Sequence, residues 1–199
     1  KGYNVILTMP KSLSIERRKI LEGYGAKLIL TEGMLDSIKV AEDLVNEHGY
    51  FMPMQFKNIN NPIAHMKNTA IEIMKDIPDL DAFVAAVGTG GTISGVAKFL
   101  KEKNPKIKIW GIDTYGSVFK KYHETGEIDE NEIHSYRIEG MGKSIIPSAT
   151  DFEIIDKFIK VSDSESAYMA RNITLNEGIF VGYTSGAAIQ GIKQLGEQG

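Results

Sequence analysis

Between Ala82 and Leu100 the sequence reads AFVAAVGTGGTISGVAKFL. A mostly apolar run of strand length enters Gly-Thr-Gly-Gly-Thr, and a helix-period pattern follows. Glycine is costly in backbone entropy, so a cluster of glycines at one strand-to-helix junction marks a place where side chains would be in the way. The first N–H groups of a helix have no internal acceptor and carry the positive end of its dipole. A junction of this kind is an anion site, best suited to phosphate. Gly88, Thr89, Gly90, Gly91 and Thr92 are therefore candidate phosphate ligands, the two threonines adding hydroxyl donors. No Lys or Arg lies in the loop, so binding there rests on neutral donors.

The same alternation of strand and helix runs along the chain. Asn4 to Thr8 is a short apolar run of strand length. Residues 12–24 read as a helix, with Ser12 or Ser14 as cap and Gly23 and Gly25 at its end. Lys27 to Thr31 reads as a strand, and Met34 to His48 as an amphipathic helix closed by Gly49. An Asn-rich loop leads to Pro62, expected as the first residue of a helix capped by Asn61. Ile107 to Ile112 reads as a strand, and residues 113–150 as loops and short helices. Phe158 to Val161 reads as a strand, and Ser162 with Glu165 forms a capping box for a helix over 163–176. Residues 179–191, IFVGYTSGAAIQG, read as a further strand, glycine-rich turn and helix. The alternation implies an α/β fold on parallel sheets. A small N-terminal lobe over 1–52 and a larger lobe over 53–199 is the expected division.

Composition narrows the function classes. A formal net charge of -3 argues against a nucleic-acid binder. The chain has no cysteine, hence no disulfide and no cysteine-ligated metal, and a reducing compartment fits. No apolar run approaches the roughly 20 residues of a membrane span. The abrupt start KGYNVILTMP and the final helix AAIQGIKQLGEQG read as a piece of a longer protein.

Three kinds of phosphate loop compete for GTGGT. A P-loop needs Lys-Ser/Thr after its last glycine, and Gly91-Thr92 is followed by Ile93. The dinucleotide fingerprint fits Gly88 and Gly90, but its third glycine is replaced by Ile93; Asp113 stands where a ribose-binding acid belongs. The third kind holds a monophosphate cofactor such as pyridoxal phosphate. The second glycine loop, VGYTSGAAIQG, has no place in a dinucleotide site. It suits a flat cofactor with a phosphate at one end and a ring nitrogen at the other, to which Thr184 or Ser185 would offer a hydroxyl.

GTGGT at 88–92, QFKNINNPIAH at 55–65, SIERRKILEGYGAKLILTEG at 14–33, EGMGKSIIP at 139–147 and GYTSGAA at 182–188 together resemble the cysteine synthase and cystathionine β-synthase family. These are pyridoxal-phosphate enzymes with the two-lobed fold of the tryptophan synthase β-subunit. The resemblance implies that Gly88 to Thr92 hold the cofactor phosphate and that Thr184 meets the pyridine nitrogen. It implies that Gln55 binds the substrate carboxylate and that Gly140 lies beside the substrate. It also implies that the chain is truncated at both ends, because the lysine that forms the Schiff base belongs upstream of Lys1. No catalytic residue is therefore assigned, and Lys143, beside the glycines, is not promoted to that role. The implied reaction is β-replacement on serine or an O-acylserine by a thiol, in a cytoplasmic homodimer. GIDTYGS at 111–117 and KYHETG at 121–126 lean towards cystathionine β-synthase, with cysteine synthase as the alternative. A non-catalytic relative that binds a phosphate-bearing ligand, and a nicotinamide dehydrogenase, are the other readings.

The four histidines show no metal-site spacing and are expected in surface or structural roles.

Overall fold

The computed structural model describes residues 2–197, and the chain divides into two compact units between Pro53 and Met54. In the first, β1 (Ile6–Pro10) pairs in parallel with β2 (Lys27–Thr31), Ile6 opposite Lys27. The strand lies two residues later than the sequence pattern suggests, because the pairing continues to Pro10, opposite Thr31. Helix α1 (Ile15–Gly23) starts at Ser14, whose hydroxyl accepts from the Arg17 N–H. Helix α2 (Met34–His48) ends on Gly49 in the left-handed conformation.

The second unit opens with α3 (Asn60–Ala64), a π-helical turn (His65–Thr69) and α4 (Ala70–Asp76). Pro62 is not the first residue of α3, and Asn61 is not its cap. The helix starts at Asn60, and proline is tolerated at Pro62 because first-turn N–H groups need no intrahelical acceptor. Three parallel strands follow: β3 (Ala82–Ala86), β4 (Lys108–Thr114) and β5 (Lys157–Val161), with β4 in the middle. Between them lie α5 (Gly91–Lys103) and α6 (Phe119–Thr125), and α7 (Asp163–Glu177) and α8 (Tyr183–Glu197) close the order.

Strand alternation sorts the core into two layers. Phe83, Ala85, Ile109 and Phe158 pack with Ile93, Val96 and Leu100 of α5. Val84, Ala86, Trp110, Ile112 and Ile159 pack with Ala187 and Leu195 of α8. A parallel sheet covered on both faces results, so its strand ends and the loops beyond them are held from two sides.

The capping box of α7 forms: the Ser162 N–H donates to Glu165 at 2.9 Å, and the Glu165 N–H returns to Ser162 Oγ at 3.3 Å. The strand expected over 179–182 does not. A strand needs a partner ladder, and none of the five strands among the described residues pairs with this segment; Phe180 is 92% exposed.

Candidate functional site

The glycine loop leaves the C-terminal end of β3 and enters α5 at Gly91. Gly90 has φ 76°, a left-handed turn that glycine adopts without penalty. The first helical bond runs from the Ser94 N–H to the Gly90 carbonyl at 3.0 Å. The Thr92 and Ile93 N–H groups precede it and have no acceptor within the helix.

Thr89 is held by its acceptor side. Its Oγ1 accepts from Asn61 Nδ2 at 3.1 Å and from the Gly91 N–H at 3.3 Å. A hydroxyl with both acceptor positions filled still has one proton to donate. Asn61 also donates to the Gln55 carbonyl at 2.9 Å, tying that segment to the loop. From the other side Thr150 Oγ1 donates to the Thr89 carbonyl at 3.1 Å.

Thr92 is oriented by a residue that sequence reasoning assigned to a structural or surface role. His65 Nε2 lies 3.1 Å from Thr92 Oγ1, and its Nδ1 lies 3.0 Å from Thr69 Oγ1. The π-helical turn carries both His65 and Thr69; such turns recur at functional sites. Only its place in the segment 55–65 hinted at this role.

The loop from Glu139 to Lys143 is fastened beside the end of β3. The Gly142 N–H donates to the Val87 carbonyl at 2.8 Å, and Tyr136 OH donates to the Met141 carbonyl at 3.2 Å. Burial, with the Asp113 and Asp163 carboxylates, pushes the Tyr136 hydroxyl up to about 12, so it stays a donor. Gly140 faces both candidate loops. A Cβ on Gly88 would strike its carbonyl oxygen, and a Cβ on Gly140 itself would lie 3.7 Å from Thr184 Cγ2. A cleft of about 370 Å³ opens here, lined by Ala86, Glu139, Gly140, Met141, Thr184, Ser185 and Ala188. The glycine loop and Thr184 thus border one region through Gly140, while Gln55 is exposed and joins the loop only by the bond from Asn61 to its backbone carbonyl.

Asp113 does not fit a ribose. It is 0% exposed at the end of β4, and its Oδ2 accepts from the Lys120 N–H at 3.0 Å, which anchors the start of α6. A ribose-binding acid must present its oxygens to a ligand, so the dinucleotide reading loses its second element. Burial raises the Asp113 carboxyl above the ordinary value of 3.8, with Ser117, the Lys120 and Thr114 backbone and Lys160 opposing. Its folded form therefore binds the proton more tightly than the unfolded chain does. The stability this provides is full below about pH 4 and falls, by up to about 1.4 kcal/mol per pH unit, as pH rises towards the folded value. Asp113→Asn keeps an acceptor for Lys120 and is expected to lose that fall. Urea melts of both proteins from about pH 4 upward check it; parallel curves would refute it.

Tyr122 and His123 serve packing. His123 Nε2 lies 2.7 Å from the Ile155 carbonyl, and Tyr122 meets Phe152 edge-on. Among the described residues no cluster of His, Cys, Asp and Glu could hold a metal.

The model of the family described as "Pyridoxal-phosphate dependent enzyme" matches residues 1–199. The chain belongs to that family. Relatives of this chain include a cysteine synthase of Staphylococcus aureus, 41% identical over 99% of this chain and 64% of its own length. Cysteine synthase B of Campylobacter jejuni is 40% identical over the same shares. The chain thus spans about 64% of the curated relatives it matches. Among solved structures, O-ureido-L-serine synthase superposes with a TM-score of 0.89 at 28% identity, covering 100% of this chain and 62% of that one. A hydrogen sulfide-producing enzyme from Fusobacterium nucleatum gives 0.82 at 36% identity, covering 95% and 62%. The fold is that of these pyridoxal-phosphate enzymes.

The residues present fit the family's cofactor. The loop supplies helix-start amides and the Thr89 proton for a phosphate. Thr184 and Ser185, both hydroxyl-bearing, line the cleft, and Gly140 leaves the space that a side chain would fill.

Proposed function

We propose that the whole protein catalyses β-replacement, exchanging the Cβ substituent of serine or an O-acylserine for a sulfur nucleophile. The observation that carries this is Gly140, which abuts the phosphate-type loop on one side and Thr184 on the other. In this reading Gly88, Thr89, Gly90, Gly91 and Thr92 hold the cofactor phosphate, and His65 fixes the Thr92 hydroxyl. Thr184 meets the ring nitrogen; a neutral hydroxyl does not compel that nitrogen to stay protonated, as a carboxylate would. Gln55 takes the substrate carboxylate, and Gly140 keeps the substrate face open. Pyridoxal phosphate, when bound, supplies the electron sink for charge developing at the substrate α-carbon. This chain's residues position the reactants and exclude competing orientations.

Sulfide is the favoured nucleophile, because the curated relatives are cysteine synthases. Homocysteine is the second reading, supported by GIDTYGS at 111–117. Residues 54–199 are the cofactor-binding lobe in this proposal, and the full-length protein is a cytoplasmic homodimer. No helix among the described residues is long and apolar enough to cross a membrane.

The full-length protein is expected to be yellow, with a visible band that borohydride abolishes. Given O-acetylserine, it should form cysteine from sulfide faster than it consumes homocysteine. A colourless protein that takes up no pyridoxal phosphate would overturn the reading.

A further inference from the structure

Two threonine hydroxyls flank the His65 ring, and among the described residues each has that ring as its one side-chain partner apart from the backbone of its own helix. Thr92 Oγ1 lies 3.1 Å from Nε2 and Thr69 Oγ1 lies 3.0 Å from Nδ1. A neutral imidazole donates one hydrogen bond and accepts one. It cannot accept from both hydroxyls, so the chain of bonds has a direction. Thr92 is exposed and Thr69 is half-buried, so the proton with another place to go is that of Thr92. The ring itself is held from behind. The π-helical turn bonds the Ala70 N–H to the His65 carbonyl. Gly95, one turn beyond Thr92 in α5, lets this turn come close: a Cβ there would strike the Pro62 carbonyl oxygen and lie 3.0 Å from His65 Cβ.

The glycine loop has no Lys or Arg, so an anion there depends on neutral groups that donate outward. A phosphate dianion offers only acceptors. With the ring proton on Nδ1, Nε2 would take the Thr92 proton, and Thr92 would turn only lone pairs to the loop. With the ring proton on Nε2, Thr92 accepts from the ring and keeps its own proton for a ligand. We propose that Thr69 is a positioning residue for the cofactor phosphate: its hydroxyl donates to His65 Nδ1, holds the ring as the Nε2–H tautomer, and so leaves the Thr92 proton for a phosphate oxygen. This rests on the proposed function. It deepens that reading by placing a second row of side chains, His65 and then Thr69, behind the phosphate ligands.

Nitrogen NMR and cofactor titration test it. Side-chain proton–nitrogen spectra of the full-length, pyridoxal-phosphate-loaded protein, labelled in histidine and held at about pH 8.5, above the ordinary imidazole range, should show His65 protonated at Nε2 and bare at Nδ1. His65→Gln identifies its signals by their loss. In titrations of the cofactor-stripped full-length protein, Thr69→Val is expected to weaken pyridoxal phosphate uptake about fivefold. Uptake of pyridoxal, which keeps the ring and aldehyde but lacks the phosphate, should not change. Thr69→Ser should behave as wild type. A wild-type His65 protonated at Nδ1 would overturn the proposal, and that measurement needs no variant to fold. So would equal weakening of both ligands by Thr69→Val, the mark of a merely structural role, an unchanged uptake of pyridoxal phosphate, or a Thr69→Ser protein as weak as Thr69→Val. A wild type that takes up no pyridoxal phosphate defeats the broader reading as well; a wild type that loads but gives any of these contrary results defeats this inference alone.

Discussion

Gly88→Ala is expected to weaken pyridoxal phosphate uptake by the full-length protein at least about tenfold and to lower its melting temperature by several degrees. The added methyl would run into the Gly140 carbonyl oxygen. It would also lie 3.5 Å from the Gly140 carbonyl carbon and 3.8 Å from Met141 Cα. All three are backbone atoms, so no flexible side-chain end can swing aside. Overpacking of this kind costs about 1–3 kcal/mol. Relief requires the 139–143 loop to lift from the end of β3, which strains the bond from the Gly142 N–H to the Val87 carbonyl. The same shift carries Gly140 away from Thr184. One methyl thus separates the two halves of the proposed cofactor site. Gly196→Ala is the control, because a Cβ there meets nothing within 4 Å. Being helical, it should be neutral or stabilising by up to about 1 kcal/mol. Cofactor titration and thermal melts of both variants decide the matter, and a Gly88→Ala protein that loads and melts like wild type would refute it.

What the sequence shows and what it hides divide along the distance between partners. Helix α2 has its bounds written into the run from Met34 to His48 and the closing Gly49, because capping and periodicity are local. The α7 capping box is local in the same way, with partners three residues apart. Asn61 misleads because its residue type suits a helix cap, while the folded chain uses its amide to join Gln55 to Thr89, 28 positions away. Ile179 to Val181 has strand-like composition, but composition alone does not supply a neighbouring strand. The bond from His65 to Thr92 spans 27 positions and follows from no local pattern. The GTGGT loop was legible as a strand-to-helix turn because its signal is in the backbone of consecutive residues. That it shares Gly140 with Thr184 depends on loop packing that spacing does not encode.

Gly186→Ala should act on the opposite wall of the same cleft and give a different signature. Gly186 lies two residues beyond Thr184, in the first turns of α8, where its N–H donates to the Gly182 carbonyl at 3.1 Å. It marks the close approach of α8 to α7. A Cβ there would strike the Ser166 carbonyl oxygen and lie 2.8 Å from the Ala170 nitrogen and 3.0 Å from Ala170 Cβ. The obstacle is the backbone of a neighbouring helix, so the helices must part, again at about 1–3 kcal/mol. Further along α8, Gly191 packs directly on Ile112 of β4, and Leu195 is 8% exposed. That end resists movement, so α8 should tilt about it and swing its N-terminal turn, with Thr184, out of place. The glycine loop between β3 and α5 is untouched. Uptake of pyridoxal phosphate should therefore fall less than in Gly88→Ala, while the visible band of the bound cofactor shifts because the proposed contact of Thr184 with its ring nitrogen is displaced. The melting temperature should drop by about 2–12 °C, given about 1–3 kcal/mol at roughly 2–4 °C per kcal/mol for a chain of this size. A variant with an unchanged melting temperature and spectrum would show that α7 and α8 have room to spare, and Thr184 would then lose the packing argument that fixes it at the cleft.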